Sequence, residues 1–230
     1  MALKRTSRSR KRELEQPDQF ETYSHKFMQF ILKHKVQVST ALGIIVGLCV
    51  IAVGMRYFAF QAENKAFYQL GQALNKYQTL IEQNRPEKAY LDVEKDFQMI
   101  VQKYSKNNGG KLARFVYANI CYQAGNYDRA IAFYNQSLKD FIDHPFLKNL
   151  AVSNLAYSHE AKKEYDTAAK FFEMIVSTPD SGLKDEALFN LGGIYAVTGD
   201  NEKRSNALKK IISDHTDSIY FEIAKERVAG

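Results

Sequence analysis

Apolar residues recur at helical spacing along most of this chain, and one segment is apolar on every face. That segment runs from Val36 to Met55 without a charged residue, and Lys35 and Arg56 bracket it. At about 1.5 Å per residue a helix of this length spans roughly 30 Å, which matches the hydrocarbon core of a bilayer. The pattern therefore predicts a single transmembrane helix over residues 36–58.

The charges on the two sides of this segment predict its orientation. Residues 1–35 contain nine Lys or Arg and four acidic residues, whereas residues 36–230 contain 23 basic and 22 acidic residues. By the positive-inside rule the N-terminus stays in the cytoplasm and the larger part is exported. In a bacterium this means an inner-membrane protein that faces the periplasm. The exported part is nearly neutral, so we expect no nucleic-acid binding.

Two targeting signals are alternative interpretations of the N-terminal region. A cleaved signal peptide is disfavoured because a long polar leader precedes the apolar run and no small-x-small cleavage site is present. The first twelve residues fit a mitochondrial presequence, but acidic residues soon interrupt that pattern at Glu13, Glu15, Asp18 and Glu21. We therefore interpret residues 1–35 as a basic cytoplasmic tail.

The end of this tail carries an apolar pattern of its own. Phe20, Tyr23, Phe27 and Ile31 recur at helical spacing just before the span. This spacing is consistent with a short amphipathic helix on the inner membrane surface. It is equally consistent with a continuation of the spanning helix.

Glycines inside the predicted span suggest a contact with another helix. Gly43 and Gly47 form a small-xxx-small pair, and Gly54 follows seven residues later near the same face. Small residues at this spacing let a second helix approach the backbone closely. Glycine is also frequent in spanning helices that make no such contact, so an incidental occurrence is the alternative.

Beyond the span the pattern is helical, and no strand-like alternation stands out. The sequence therefore predicts an all-α fold, with a single N-terminal transmembrane helix followed by helical hairpins. The first hairpin is predicted to occupy residues 59–108. Its first helix is predicted to cover Ala62–Gln83.

The second helix of this hairpin has recognisable start and stop signals. We predict that Asn84 caps it, with Pro86 near the first turn and Glu87 completing a capping box. The Asn-Asn-Gly-Gly sequence at residues 107–110 is predicted to end it and to mark a subdomain boundary. Its apolar stripe consists of Ala89, Val93, Phe97, Ile100, Val101 and Tyr104.

Residues 109–230 repeat a helix–turn–helix pattern three times. The aligned segments begin at Ala118, Ala156 and Gly192, which are 38 and 36 residues apart, and each starts with a small residue. The turns are Gly125-Asn126-Tyr127, Lys163-Glu164-Tyr165 and Gly199-Asp200-Asn201. This period and turn chemistry resemble the tetratricopeptide repeat, which implies an α-solenoid in which each hairpin stacks on its neighbours.

The second helices of the hairpins follow the repeat pattern less closely. Ala130 and Ala168 are the small residues expected where two helices cross, whereas Arg204 replaces Ala in the third repeat. In the first repeat Ser137 stands where a second Ala is usual. Terminal repeats are commonly irregular, so we keep three repeats, with the preceding hairpin as a degenerate fourth and a capping helix over Ser218–Val228.

The order of these parts resembles a particular family. A basic head with Glu-Gln-Pro-Asp-Gln-Phe at residues 15–20, one span, a long helical hairpin and tetratricopeptide repeats is similar to the YfgM-like bacterial inner-membrane proteins, which are ancillary subunits of the Sec translocon. The resemblance implies an N-in scaffold that associates with translocon subunits, a membrane-anchored periplasmic chaperone or exported clients. A scaffold for another envelope machine, such as division, secretion or outer-membrane assembly, is the alternative.

No catalytic or metal-binding pattern stands out in the sequence. The five histidines are isolated, and no glycine-rich phosphate-binding loop is present. Cys49 falls within the predicted span and Cys121 in the exported part, so the two cannot form an intrachain disulfide. Cys121 is expected to be a small buried apolar residue. We therefore expect neither enzymatic activity nor a cofactor, and an envelope enzyme with unrecognised catalytic residues is a third hypothesis.

The remaining candidate site is the concave groove of the solenoid. In tetratricopeptide arrays the first helix of each hairpin lines this groove, and aromatic rings interspersed with amides suit an extended peptide or a partner helix. Phe115 and Phe189 could instead be core residues, since helical spacing alone does not separate the two faces. The predicted groove residues are Phe115, Asn119, Tyr122, Tyr157, Glu160 and Phe189.

Overall fold

The computed structural model describes residues 19–83 and 85–229, with side chains from residue 23 onward. Within these ranges the chain forms helices joined by turns, without a strand. Residues 15–18 of the predicted head motif and the predicted cap Asn84 lie outside the described residues. The helices are α1 (Gln19–Lys33), α2 (Lys35–Gln83), α3 (Pro86–Lys103), α4 (Asn108–Gln123), α5 (Tyr127–Asp140), α6 (Pro145–Ala161), α7 (Tyr165–Ser177), α8 (Lys184–Thr198), α9 (Asn201–Asp214) and α10 (Phe221–Ala229).

The chain divides within α2, after Ala59, into two compact units. In the first unit His34 alone separates α1 from α2. Backbone hydrogen bonds from His34 to Phe30 (3.0 Å) and from Val38 to His34 (2.9 Å) carry the helical pattern across this residue. Of the two arrangements that the sequence left open, this geometry favours a continuation of α1 into the apolar helix.

The N-terminal part of α2 is long and apolar enough to cross a membrane. Its most apolar 18-residue window has a mean hydropathy of 2.4, and none of that window is buried against the rest of the chain. Large aliphatic side chains such as Leu42, Leu48 and Ile51 are exposed. Length and composition therefore allow the predicted span, and a lipid environment would cover this surface.

α2 continues from the apolar segment into the second unit. The separate helix predicted over Ala62–Gln83 is instead the C-terminal part of α2. The junction at residues 59–61 is Ala-Phe-Gln, which contains neither Gly nor Pro and so does not interrupt a helix. In the second unit Ala66, Leu70 and Ala73 of this helix are buried in the core.

The second unit is a series of stacked helical hairpins. The helix pairs α4–α5, α6–α7 and α8–α9 form the hairpins, α3 packs against α4, and α10 packs against α9. Ala118 and Ala156 on the first helices are fully buried, as are Ala130 and Ala168 on the second helices. At Gly192 the side chain of Leu208 occupies the adjacent space. The small residues thus lie where hairpin helices pack closely, in agreement with the predicted repeat register.

The three predicted turns share one backbone geometry. Gly125, Lys163 and Gly199 have left-handed φ angles of 74°, 62° and 81°. In each turn the next residue donates its backbone N–H to the carbonyl five residues earlier, at 2.8, 2.9 and 2.9 Å. This is the Schellman arrangement that ends a helix and reverses the chain. The turn therefore recurs with the same period as the sequence pattern.

The start of α3 differs from the prediction. Arg85 is its N-cap residue and makes no capping hydrogen bond through its side chain. The predicted capping box pairs Glu87 with Asn84, so it involves a residue outside the described ranges and stays a prediction. Pro86 occupies the first helical position, as expected. A proline there supplies a fixed φ and needs no hydrogen-bond acceptor, which favours the start of a helix at this residue.

The Asn-Asn-Gly-Gly sequence begins α4 instead of ending α3, with its first Asn at the N-cap position. Gly109 and Gly110 lie in the first turn of α4 and are buried, and a Cβ at Gly110 would overlap the backbone of Tyr104. The Glu63 carboxylate on α2 accepts a hydrogen bond from the Gly109 N–H at 2.8 Å. The glycines therefore permit close packing at the start of α4, which the local sequence pattern does not reveal.

Candidate protein-binding groove

The structure separates the predicted groove residues into four groups. Phe115 on α4 belongs to the core, where it is 8% exposed and packs edge-to-face on Tyr134 and Phe141 with ring centroids 5.8 and 6.1 Å apart. This placement corrects its assignment to the groove. The cause is that helical spacing does not distinguish the inward face of α4 from its groove face.

Phe189 on α8 is covered from within the chain. Its ring stacks on Tyr220 at 4.6 Å, and the Arg227 guanidinium lies 4.6 Å from its centroid. Tyr220 precedes α10 and Arg227 lies on it, so the C-terminal helix covers Phe189. Phe189 therefore packs against the C-terminal cap of the solenoid, and because it is only half-buried its assignment to the groove stays a prediction.

Asn119 and Tyr157 lie at equivalent positions of successive repeats and make equivalent contacts. The Asn154 amide donates to the Asn119 side-chain oxygen at 3.1 Å, and the Asn190 amide donates to the Tyr157 hydroxyl at 2.7 Å. We call these four residues the polar ladder. Each of its two rungs joins one first helix to the next.

The polar ladder is extended by further hydrogen bonds. The Tyr134 hydroxyl donates to the Asn119 side-chain oxygen at 2.6 Å, and the Tyr157 hydroxyl donates to Glu186 at 2.5 Å. Burial is the main cause that raises the pKa of Tyr157, followed by Glu186, so this hydroxyl keeps its proton and remains a donor. Sequence reasoning missed Asn154 and Asn190, although their separation of 36 residues equals one repeat interval.

Tyr122 and Glu160 occupy the turn ends of α4 and α6. Tyr122 is half-buried, and its ring lies 5.5 Å from that of Tyr127 at an angle of 58°. Glu160 stands 38 residues after Tyr122, at the equivalent position of the next repeat, and is also half-buried. We call Tyr122, Tyr127 and Glu160 the tyrosine–glutamate cluster.

The members of this cluster interact electrostatically. Burial is the main cause that raises the pKa of Tyr122, and electrostatic interaction with Tyr127 and Glu160 raises it further. Burial alone raises the pKa of Glu160. Among the described side chains none forms a hydrogen bond or an ion pair with the Glu160 carboxylate.

The side chains on the groove face are suited to binding a polypeptide. Amide and hydroxyl groups, two half-buried tyrosine rings and one unpaired carboxylate can make hydrogen bonds and ionic contacts with a polypeptide. Burial raises the pKa of the Cys121 thiol to about 12, and this side chain is fully buried, so it is neither ionised nor accessible. Within residues 19–83 and 85–229 no group of three or more His, Cys, Asp or Glu side chains is arranged to hold a metal ion.

A second opening lies between α7, α8 and α9, outside the groove face. Its volume is about 390 Å³, and its lining includes Leu191, Tyr195 and Lys203. The Tyr195 hydroxyl donates to Glu173 at 2.7 Å, and the Lys203 ammonium lies 5.4 Å from the Tyr195 ring centroid. Because these polar groups already partner one another, the groove face remains the candidate site.

The predicted helix-contact glycines lie on the first unit. An added Cβ at Gly43, Gly47 or Gly54 would meet no other atom within 4 Å in the described part of the chain. No described residue therefore covers this glycine-containing face of the helix.

Comparison with known proteins identifies the fold family. Residues 36–219 match the family described as tetratricopeptide repeat-like domain, and the match begins at the first residue of the apolar run. The crystal structure of BtubC (BKLC) from P. vanneervenii is similar, with a TM-score of 0.50 and 15% identity over 77% of this chain and 80% of that chain. At this identity the likeness concerns the fold alone. No curated protein matches the sequence significantly. Since the family match covers most of its length, the chain belongs to the tetratricopeptide repeat-like domain family.

Proposed function

We propose that this protein is a single-pass membrane scaffold that binds other proteins through its groove face. The observation that carries the proposal is the polar ladder together with the tyrosine–glutamate cluster, which presents amides, hydroxyls and rings along successive first helices. Such groups can satisfy the backbone of an extended peptide while the rings supply contact area. Membership of a family whose domains bind proteins supports the same function.

The anchor defines how such a scaffold would act. The apolar part of α2 inserts in the membrane, and the basic excess of residues 1–35 keeps the N-terminus in the cytoplasm. The second unit then faces the periplasm of a bacterial inner membrane. Tethering confines the groove near the membrane and raises the effective concentration of its partners without chemistry. No catalytic step is needed for this role.

The partner set we propose is that of the Sec translocon. The order of a basic head, one span, a helical hairpin and tetratricopeptide repeats supports an ancillary subunit that meets translocon subunits, a membrane-anchored periplasmic chaperone or exported clients. A scaffold for division, secretion or outer-membrane assembly shares the same anchor and fold. Gly43, Gly47 and Gly54 would contribute a helix–helix contact within the membrane in either case.

Affinity purification from native membranes in mild detergent tests this proposal. The full-length protein is compared with a chain that lacks residues 36–55, and co-purifying proteins are identified by mass spectrometry. Recovery of translocon subunits or a periplasmic chaperone, reduced when the span is deleted, is the expected result. Recovery of division, secretion or outer-membrane assembly components would move the function to the alternative. A purification that yields no protein partner would contradict the scaffold function itself.

A further inference from the structure

Three asparagines of the groove face have amide groups that the rest of the described chain leaves unused. Asn119, Asn154 and Asn190 lie on the successive first helices α4, α6 and α8, and each is half-buried. Within the described residues the Asn119 side-chain nitrogen donates no hydrogen bond, and the side-chain oxygens of Asn154 and Asn190 accept none. The unpaired side-chain atoms that are fully enclosed in this part of the chain belong to other residues, so these three amide atoms are open to solvent. The groove thus presents one donor group and two acceptors to an incoming molecule.

The polar ladder fixes the orientation of these amides. The Asn119 side-chain oxygen accepts from the Tyr134 hydroxyl at 2.6 Å and from the Asn154 amide at 3.1 Å, which occupies its two lone pairs and turns its own NH2 group away. The Asn190 amide donates to the Tyr157 hydroxyl at 2.7 Å, which directs the Asn190 oxygen away from that contact. Groups that are held in place before binding lose less conformational entropy when a ligand arrives. The ladder is therefore a preorganised set of hydrogen-bonding groups.

The chemistry of these groups matches the main chain of a peptide. An extended peptide offers N–H groups to the Asn154 and Asn190 oxygens and C=O groups to the Asn119 amide. All three side chains are neutral, so they do not distinguish acidic from basic residues. Every peptide bond other than that before proline carries the same donor and acceptor, whereas in helices and sheets these groups are already paired. A site of this kind favours an unfolded segment and tolerates many sequences.

We propose that the three asparagines bind the main chain of an extended, unfolded polypeptide segment and discriminate little among its side chains. This inference rests on the proposed function, since it assumes that the groove face binds a polypeptide, and it names the class of partner. The scaffold then holds unfolded segments of different sequence instead of one folded partner. Affinity for any single segment is modest, because each neutral hydrogen bond contributes little in water.

Binding of unfolded nonapeptides to the full-length protein in detergent micelles tests this inference. The probes are fluorescent peptides of unrelated sequence, rich in Ser, Thr and Gln, and each has an analogue that is methylated on every internal backbone nitrogen. Methylation removes the backbone donors and leaves the side chains unchanged. By fluorescence anisotropy we expect affinities within roughly fivefold of one another across the panel, and a loss of about tenfold or more on methylation, which corresponds to two neutral hydrogen bonds.

Replacement of the asparagines separates direct contact from other effects of methylation. Asn154→Ala and Asn190→Ala remove the two acceptors, so the double variant should bind methylated and unmethylated peptides within about twofold of each other. Each single variant disturbs the ladder less and should lose part of the difference. Asn135→Ala on the exposed face of α5 is the matched control and should keep the whole difference. Circular dichroism confirms that each variant retains the fold.

The outcomes distinguish this inference from the proposed function. A methylation effect that persists unchanged in the single and double variants, or affinities that depend strongly on peptide sequence, would overturn recognition of the main chain. Absence of binding by every peptide would overturn it as well. In each of these cases the scaffold function stands if purification from membranes recovers protein partners, and it fails together with the inference if that purification recovers none.

Discussion

Lys163 adopts a backbone conformation that its equivalents in the other repeats reach with glycine. Gly125 and Gly199 have the same left-handed φ as Lys163, and the hydrogen bond that closes the turn is the same in all three. A Cβ in this conformation costs about 1 kcal/mol, because it approaches the following carbonyl oxygen. The second repeat therefore carries local strain that the first and third avoid.

Lys163→Gly should relieve that strain. We expect the free energy of unfolding, measured by urea denaturation of the detergent-solubilised protein, to rise by about 1 kcal/mol. Lys170→Gly on the exposed face of α7 is the matched control and should lower it by roughly 0.5–1 kcal/mol, since glycine weakens a helix interior. A loss of stability in Lys163→Gly would contradict the shared turn geometry.

Ala168 tests the packing of the second repeat at a single position. It is fully buried on α7, whereas Ala132 on α5 is exposed. Ala168→Arg introduces both excess volume and a buried charge, so it should destabilise the fold by several kcal/mol, on the order of 3 or more. Ala132→Arg should change stability by less than about 0.5 kcal/mol. Equal melting temperatures for the two variants would refute the repeat register.

At the scale of helices, replacing two helical glycines by alanine should change the stability of the fold in opposite directions. Gly110 in the first turn of α4 lies against Tyr104, whereas Gly193 within α8 has open space around its added Cβ. Gly110→Ala should destabilise the fold by roughly 1–3 kcal/mol through overpacking, and Gly193→Ala should stabilise it by up to about 1 kcal/mol. Thermal unfolding followed by circular dichroism measures both. Stabilisation by Gly110→Ala would show that α4 does not pack so closely.

The helices that the sequence predicted well are those whose pattern repeats. The turns at Gly125, Lys163 and Gly199 and the buried alanines on α5 and α7 recur at one period, so several copies support each assignment. The start of α4 was misinterpreted because its glycines pack against Tyr104, which follows α3, and one of them donates a hydrogen bond to Glu63, 46 residues earlier on α2. Such long-range contacts leave no local signal.

The repeat pattern predicts which helices could line a groove, but it only partly predicts which of their residues would face it. Half-buried positions on the first helices are occupied by Asn119, Tyr122, Tyr157 and Glu160, whose role in a groove stays a prediction. Periodicity could not show that Phe115 and Phe189 pack inward or under the C-terminal helix. The partners of Asn119 and Tyr157 lie 35 and 33 residues away, so the polar ladder emerged only from the structure.

For the whole molecule, the proposed topology places residue 26 in the cytoplasm and residue 170 in the periplasm. In spheroplasts a membrane-impermeant maleimide should label Lys170→Cys without permeabilisation and Lys26→Cys only after it. The wild-type chain is the control, and we expect little labelling of it. Cys121 is fully buried with a raised thiol pKa, and Cys49 lies in the proposed span. Labelling of Lys26→Cys in intact spheroplasts would show that the N-terminal region lies outside the cytoplasm, and it would contradict the proposed topology.

Site-specific photo-crosslinking in native membranes tests most directly whether the anchored solenoid binds proteins through its groove face. p-Benzoylphenylalanine is placed at Tyr122 in the groove and, as the control, at the exposed Lys170 on α7. We expect discrete adducts with proteins identifiable by mass spectrometry from position 122 and none from position 170. Equal adducts at both positions, or none at position 122 in a folded and membrane-inserted chain, would contradict it.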